Sequence, residues 1–288
     1  MGFKCGIVGL PNVGKSTLFN ALTASKNAEA ANFPFCTIDP NIGIVDVVDE
    51  RLDKLTELSK SKKKIYTNIT FVDIAGLVKG ASKGEGLGNK FLSHIREVDA
   101  IIHLVRCFES EKITHVNSNI NPVEDLETIK TEIILSDIDI IQKKLEKGKK
   151  KLLEEKQIKI LEEKLNQLNE GKEVFTNDVD DKKFLYSLGL LSIKPKIIVC
   201  NVDEGSLANG NAFTEEVKKK YSNEKVVIIC ADIEDQIMGL DKSERETFMK
   251  EIGLDKTGLN QLIKEGYELL NLDTFFTSGP EESRAWTV

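Results

Sequence analysis

Five short apolar runs are spread along the chain, and polar or glycine-rich stretches separate them. The runs are Cys5–Val8, Ile69–Val72, Ala100–Val105, Lys196–Cys200 and Val226–Cys230. Short runs rich in Ile and Val are typical of buried strands, and here they alternate with segments of helical periodicity. The alternation predicts an α/β fold, with a doubly wound, mainly parallel sheet.

Residues 134–194 follow a different pattern. Apolar residues recur there at intervals of three, four or seven, first at Ile134, Ile138, Ile141, Leu145 and Leu152, and then at Ile158, Leu161, Leu165 and Leu168. Two seams at near-heptad spacing predict an antiparallel, coiled-coil-like α-helical hairpin. We therefore expect a discontinuous domain of residues 1–133 and 195–276, with the hairpin of residues 134–194 inserted into it.

The first apolar run leads into a complete phosphate-binding loop. The loop reads Gly9-Leu10-Pro11-Asn12-Val13-Gly14-Lys15-Ser16 and stands between a predicted strand and a predicted helix. Its glycines let backbone N–H groups turn towards a polyphosphate, and the helix adds the positive end of its dipole. The expected nucleotide contacts are Asn12, Val13, Gly14, Lys15, Ser16 and Thr17. A glycine-rich turn that binds nothing is the alternative, and the later motifs argue against it.

Four residues are candidates for the metal and for sensing the γ-phosphate. The hydroxyl of Ser16 would ligate Mg²⁺, and Asp73, at the end of the second run, would orient the water shell of the metal. Gly76 completes an Asp-x-x-Gly motif and would offer its N–H to the γ-phosphate. Thr37 would join the metal sphere when that phosphate is present. An ordinary turn threonine is the alternative for Thr37, and the presence of Ser16 and Asp73 favours the metal ligand.

The segment after the fourth run indicates which base is bound. It reads Asn201-Val202-Asp203-Glu204, where GTPases usually carry Asn-Lys-x-Asp. The aspartate of that motif accepts hydrogen bonds from two guanine donors, and Glu204 is one methylene longer. A carboxylate that no longer fits both donors loses its selectivity for guanine. We expect Asn201 and Glu204 to favour ATP over GTP, and the backbone of Cys230 and Ala231 to pack on the base.

These motifs resemble the Obg-like ATPases of the YchF type, a family in the translation-factor class of P-loop GTPases. The resemblance covers essentially the whole chain and rests on residues 1–20, 31–37 and 71–89. It implies Mg²⁺-dependent hydrolysis of ATP in preference to GTP and binding to the ribosome, as a whole or through its large subunit. Two alternatives stay open: a GTPase of the Obg class, and a nucleotide-gated ribosome or RNA adaptor whose hydrolysis is incidental.

The resemblance also bears on catalysis. Lys15 would stabilise charge on the phosphates, but the position at which Ras-like enzymes carry a water-orienting glutamine is Leu77. The position of His115 resembles that of the histidine proposed in the family to replace the glutamine, and a plain loop residue is its alternative role. Asn12 stands where such enzymes are associated with a monovalent cation, often K⁺, which supplies positive charge near the phosphates. Its alternative role is hydrogen bonding within the loop.

Composition limits the partners. The net charge is −7, so we expect no general attraction to nucleic acid and no sequence-specific DNA binding. Five cysteines without framework spacing fit a reducing compartment. No signal peptide is visible and the apolar runs are too short to cross a bilayer, so a cytoplasmic location without membrane contact is expected. Lys149–Lys151, near the predicted hairpin tip, would contact RNA phosphates or an acidic protein, and a solvated helix face is the alternative.

Residues 277–288 end in Arg284-Ala285-Trp286-Thr287-Val288, which resembles the first strand of the small β-rich TGS domain of this family. In relatives that domain continues past this point, so the resemblance implies that most of it is missing from this chain. Either a shortened form or a gene that lacks the domain would account for this. We then expect Trp286 to have little to pack against.

Overall fold

A computed structural model describes residues 3–23, 41–74, 87–110, 119–148, 153–254 and 256–288. The strands are β1 (Phe3–Val8), β2 (Asn41–Val47), β3 (Lys63–Ile65), β4 (Thr67–Asp73), β5 (Ala100–Arg106), β6 (Lys196–Asn201), β7 (Lys225–Ile229), β8 (Thr274–Ser278) and β9 (Glu282–Thr287). The helices are α1 (Lys15–Thr23), α2 (Glu50–Ser59), α3 (Leu87–Arg96), α4 (Pro122–Gly148), α5 (Glu155–Asn169), α6 (Val179–Ser187), α7 (Ala212–Lys220), α8 (Ala231–Gly239), α9 (Lys242–Glu251) and α10 (Gly258–Leu269).

The main sheet has six strands in the order β2-β4-β1-β5-β6-β7. All neighbouring strands are parallel except β2, which pairs antiparallel with β4. The α/β, mainly parallel fold is therefore confirmed, and each of the five apolar runs forms a strand, except that Cys230 follows β7 and caps α8. The chain leaves β1 for β4 on one side and later adds β5 on the other. Ligands of such sheets bind at the carboxyl ends of the strands, beside this reversal.

The predicted hairpin consists of α4 and α5, which pack together around apolar residues of both helices, including Ile141, Leu161 and Leu168. Helix α4 begins at Pro122 and runs without a break through residue 134, so the expected domain boundary falls inside a helix. Buried Asp137 of α4 accepts hydrogen bonds from the backbone N–H groups of Leu191 and Ser192, both at 2.8 Å. The long helix is thereby tied to the segment that leads into β6.

The C-terminal strands form a second sheet, in the order β3-β9-β8. Trp286 stacks on Phe275 with ring centres 6.2 Å apart, and the guanidinium carbon of Arg284 lies 4.2 Å from the Trp286 ring centre. The indole N–H donates to the Thr277 hydroxyl at 2.9 Å. The expectation that Trp286 has little to pack against is therefore wrong. The expected boundary between residues 276 and 277 also falls inside β8.

No helix in the described ranges combines the length and the apolar character that crossing a membrane requires.

Candidate nucleotide-binding site

The phosphate-binding loop connects β1 to α1 at the carboxyl edge of the main sheet. Asn12 and Gly14 have φ angles of 62° and 98°, which lie in the left-handed region. A Cβ atom on Gly14 would lie 2.4 Å from Asn201 Nδ2, and one on Gly9 would lie 2.5 Å from the Leu104 carbonyl oxygen. Close packing therefore requires both glycines, and at Gly14 the backbone conformation requires one as well.

Lys15, the first residue of α1, folds its side chain back over this loop. Nζ donates to the carbonyl oxygens of Gly9 and Leu10, at 3.1 Å and 2.8 Å. Burial lowers the pKa of Lys15, and the negative charge of Asp73 acts in the opposite direction. Bonds from an ammonium group to phosphate oxygens are stronger than bonds to neutral carbonyls, so a polyphosphate can displace both acceptors.

Asp73 ends β4, next to β1, and pairs in register with Ile7 of that strand. Burial raises the pKa of its carboxyl group, while the Lys15 charge and a hydrogen bond from the Asn41 side chain lower it. Ser16 lies exposed in the first turn of α1. A hydroxyl and a carboxylate are hard oxygen ligands that fit Mg²⁺, which typically takes its other ligands from substrate phosphates and water.

Three predicted site residues, Thr37, Gly76 and His115, lie outside the described residues. Their roles stay predictions.

Asn201, at the end of β6, joins two sides of the site. It is 4 % exposed. Its Nδ2–H donates to the Val13 carbonyl oxygen at 3.0 Å, and its Oδ1 accepts from the Ala231 N–H, also at 3.0 Å. The amide thus fastens the phosphate-binding loop to the first turn of α8. Its direct contact with a base stays a prediction.

A cavity of about 360 Å³ adjoins the phosphate-binding loop. The residues that line it come from the loop and α1, from the segments after β5 and β6, and from the start of α8: Asn12, Gly14, Thr17, Phe108, Glu109, Ser110, Asn201, Val202, Asp203, Glu204, Cys230, Asp232, Ile233 and Gln236. Most of the predicted nucleotide contacts in the described ranges therefore surround one space, which is large enough for a base and ribose.

Glu204 lies exposed at this cavity, at the start of a 3-10 turn that spans Glu204–Ser206. The carboxylate of Asp203 caps the turn, since it accepts from the N–H and the hydroxyl of Ser206 at 3.0 Å and 3.1 Å. Asp203 is thereby engaged locally. The contact of Glu204 with a base stays a prediction.

Sequence reasoning missed Phe108–Ser110, Asp232 and Gln236. None of these residues belongs to a motif, but they follow β5 and β7 at the same sheet edge as the predicted contacts. The rule that ligands bind at the carboxyl ends of parallel strands could have found them.

One wall of the cavity is acidic, because Glu109, Asp203, Glu204 and Asp232 all contribute to it. Ionised carboxylates only accept hydrogen bonds, so this wall suits a ligand edge that carries N–H donors. It also repels phosphate groups, which would direct a triphosphate towards Lys15.

Comparison with known proteins places this site in context. Residues 4–137 match the family model described as 50S ribosome-binding GTPase. The chain is 48 % identical over 299 aligned positions to the Ribosome-binding ATPase YchF of Escherichia coli, covering 100 % of this chain and 81 % of that protein. It is 49 % identical over 296 positions to the protein of the same name from Mycoplasma pneumoniae, covering 98 % and 81 %. The solved structure of the Schizosaccharomyces pombe YchF GTPase superposes with a TM-score of 0.85 at 36 % identity, covering 100 % of this chain and 80 % of that one.

Proposed function

Because this chain belongs to the YchF family of ribosome-binding ATPases, we propose that it hydrolyses ATP in preference to GTP, with Mg²⁺, as a nucleotide-dependent switch on the ribosome. The chain is a P-loop nucleoside triphosphate hydrolase. The observation that carries the ATP preference is the base loop, where Val202 and Glu204 replace the lysine and aspartate of guanine-specific enzymes at the mouth of the cavity.

The phosphate side of the site supports a mechanism of positioning and charge stabilisation. When a triphosphate enters, the Lys15 ammonium would exchange the Gly9 and Leu10 carbonyls for phosphate oxygens and stabilise the charge that develops on them. Ser16 and Asp73 would hold Mg²⁺, which supplies positive charge to the β and γ phosphates. These residues would contact only the phosphates and the metal, so they would not distinguish ATP from GTP.

Four finer roles belong to the same proposal. Thr37 would ligate the metal when the γ-phosphate is present, and Gly76 would sense that phosphate. Since Leu77 cannot orient the attacking water, His115 would do so. A potassium ion beside Asn12 would add positive charge near the phosphates, and hydrolysis would then fall when K⁺ is replaced by Na⁺.

The contacts to the base would determine whether ATP or GTP binds more tightly. Val202 is 2 % exposed and apolar, so it offers no hydrogen bond to a base. Glu204 reaches one methylene further than aspartate and would not meet both guanine donors at once, whereas the adenine amino group needs one acceptor. The names of the relatives differ on this point, since the bacterial proteins are called ATPases and the Schizosaccharomyces pombe protein a GTPase.

Competition binding of ATP and GTP to the purified chain, with Mg²⁺ and K⁺ present, tests the preference. We expect ATP to bind at least about tenfold more tightly, which corresponds to roughly 1.4 kcal/mol. A GTP preference of the same size would overturn the proposal in favour of a GTPase of the Obg class.

Ribosome binding is proposed to use the basic hairpin, and contact with the large subunit belongs to the same proposal. Exposed Lys143 and Lys159 are already paired with Asp139 and Glu155, at 2.6 Å and 3.4 Å, so the free charge must come from elsewhere. In the sequence, Lys149–Lys151 stand between α4 and α5. Phosphate contacts made there would weaken as salt is raised.

Co-sedimentation with ribosomes at increasing salt compares two triple variants. Lys149/Lys150/Lys151→Glu should lose most binding at moderate salt. The matched control Lys218/Lys219/Lys220→Glu, at the end of α7, should bind as the unchanged protein does. Equal binding by both variants would exclude the hairpin as the contact. ATP-dependent ribosome binding with a turnover that ribosomes leave unchanged would favour the alternative of a nucleotide-gated adaptor, whose hydrolysis is incidental.

A further inference from the structure

The side chain of Arg106, the last residue of β5, extends from the core of the sheet to the wall of the base cavity. It is 1 % exposed. Its Nε–H donates to the Phe108 carbonyl oxygen at 3.0 Å, and an Nη2–H donates to that of Ser110 at 3.4 Å. The guanidinium carbon also lies 4.7 Å from the centre of the Phe108 ring. One buried cation therefore contacts both ends of the segment of residues 108–110.

Residues 108–110 line the base cavity and form neither a helix nor a strand. Just before them, Cys107 is held by its N–H bond to the Asn201 carbonyl oxygen and by a bond from Asn211 Nδ2 to its own carbonyl oxygen, both 2.7 Å long. These two bonds anchor Cys107, whereas Arg106 holds the carbonyls of Phe108 and Ser110. The shape of this wall thus depends on Arg106.

The geometry requires a guanidinium group in particular. A guanidinium presents several N–H donors in a rigid plane, so it can bond two carbonyl oxygens and stack on an aromatic ring at the same time. A lysine ammonium is a point charge on a flexible stem and cannot satisfy all three contacts together.

We propose that Arg106 is a positioning residue for nucleotide recognition, which holds Phe108–Ser110 in place and so shapes the base side of the cavity. In the described part of the chain its side chain bonds Phe108 and Ser110 of this wall, so its loss should weaken the binding of a complete nucleotide and spare that of a bare triphosphate chain. The inference rests on the proposed function, because it concerns the same cavity.

Calorimetric titration with Mg²⁺-ATP and with Mg²⁺-tripolyphosphate separates an effect on base recognition from an effect on phosphate binding. For Arg106→Gln we expect ATP affinity to fall about tenfold, since the wall must be ordered on binding, and tripolyphosphate affinity to stay within about twofold. Arg106→Lys should lie between Arg106→Gln and the unchanged protein for ATP.

The chain offers a matched control in Arg245, which also donates to two backbone carbonyls, those of Ile237 and Leu240, at 3.1 Å and 3.3 Å. Neither acceptor lines the base cavity. Arg245→Gln removes the same kind of contact, and we expect it to leave the affinities for both ligands within about twofold.

Equal loss of both ligands in Arg106→Gln would overturn the inference, because it would mean that the residue acts through the whole fold or through its charge. Unchanged ATP affinity would overturn it as well. If Arg106→Gln does not fold, Arg106→Lys decides, and ATP affinity equal to that of the unchanged protein would refute a role for the planar group. An unchanged protein that binds neither ligand would instead overturn the proposed function, and this inference with it.

Discussion

Replacing Asn201 by alanine tests how the two halves of the site are joined. The change removes two 3.0 Å hydrogen bonds, one to the Val13 carbonyl oxygen and one from the Ala231 N–H. Val13 is 0 % exposed and Ala231 is 1 % exposed, so both backbone groups are buried. A buried backbone group that is left without a partner costs about 1–3 kcal/mol, so the two together cost about 2–6 kcal/mol. A water molecule in the vacated space beside Gly14 would satisfy one of the two groups, which leaves about 1–3 kcal/mol.

Urea unfolding of the nucleotide-free protein measures this loss, and calorimetric titration measures ATP affinity. We expect ATP affinity to fall at least about tenfold in Asn201→Ala, because the phosphate-binding loop is no longer fastened to α8. Asp178→Ala is the control. It removes two 2.9 Å bonds from the N-terminus of α6, none of whose residues lines the cavity, and should cost about 1 kcal/mol while leaving ATP affinity unchanged. A stability loss in Asn201→Ala below about 0.5 kcal/mol, or a larger one with ATP affinity intact, would refute the reasoning.

Three further predictions concern single residues. Lys15→Met should lower ATP hydrolysis at least about 100-fold in a phosphate-release assay with little change in the unfolding midpoint, and residual activity near the original level would contradict its role. Glu204→Asp should shift the ratio of GTP affinity to ATP affinity towards GTP. Glu204→Gln, the control without a charge, should not shift this ratio. Identical ratios in the two variants would exclude a carboxylate contact to guanine. Asp73→Asn should abolish the stimulation by Mg²⁺ yet stabilise the nucleotide-free protein at neutral pH, because burial raises the pKa of Asp73 in the fold. A carboxyl group whose pKa is raised in the fold favours folding only while it is protonated, and it loses this contribution as the pH rises. The two proteins should therefore converge in stability below the ordinary pKa of 3.8. A stability difference that is constant with pH would contradict this reasoning.

Local patterns were sufficient for the interior of the fold. Strand β5 is buried along its whole length, so its apolar run was continuous and easily recognised. Strand β2 was not predicted, because it lies at an edge and is only partly buried. The start of α4 at Pro122 was missed because its first turns, which carry Glu124 and Asp125, interrupt the heptad pattern.

Contacts between distant segments were beyond the reach of such patterns. Strand β9 pairs in parallel with β3, so Lys63 lies in register with Glu282. The local sequence of either strand does not predict this pairing. The same limit applies to the site. Motifs predicted Lys15 and Asp73, because phosphate and metal binding require these residue types at fixed places in a motif, whereas Phe108 and Asp232 reach the cavity only through the arrangement of the strands.

Steady-state hydrolysis of ATP and GTP by the purified chain, measured side by side with and without Mg²⁺, tests the central claim most directly. We predict that kcat/KM for ATP exceeds that for GTP by at least about tenfold and that chelation of the metal abolishes both activities. Equal or greater kcat/KM for GTP, or hydrolysis that continues without the metal, would contradict the account.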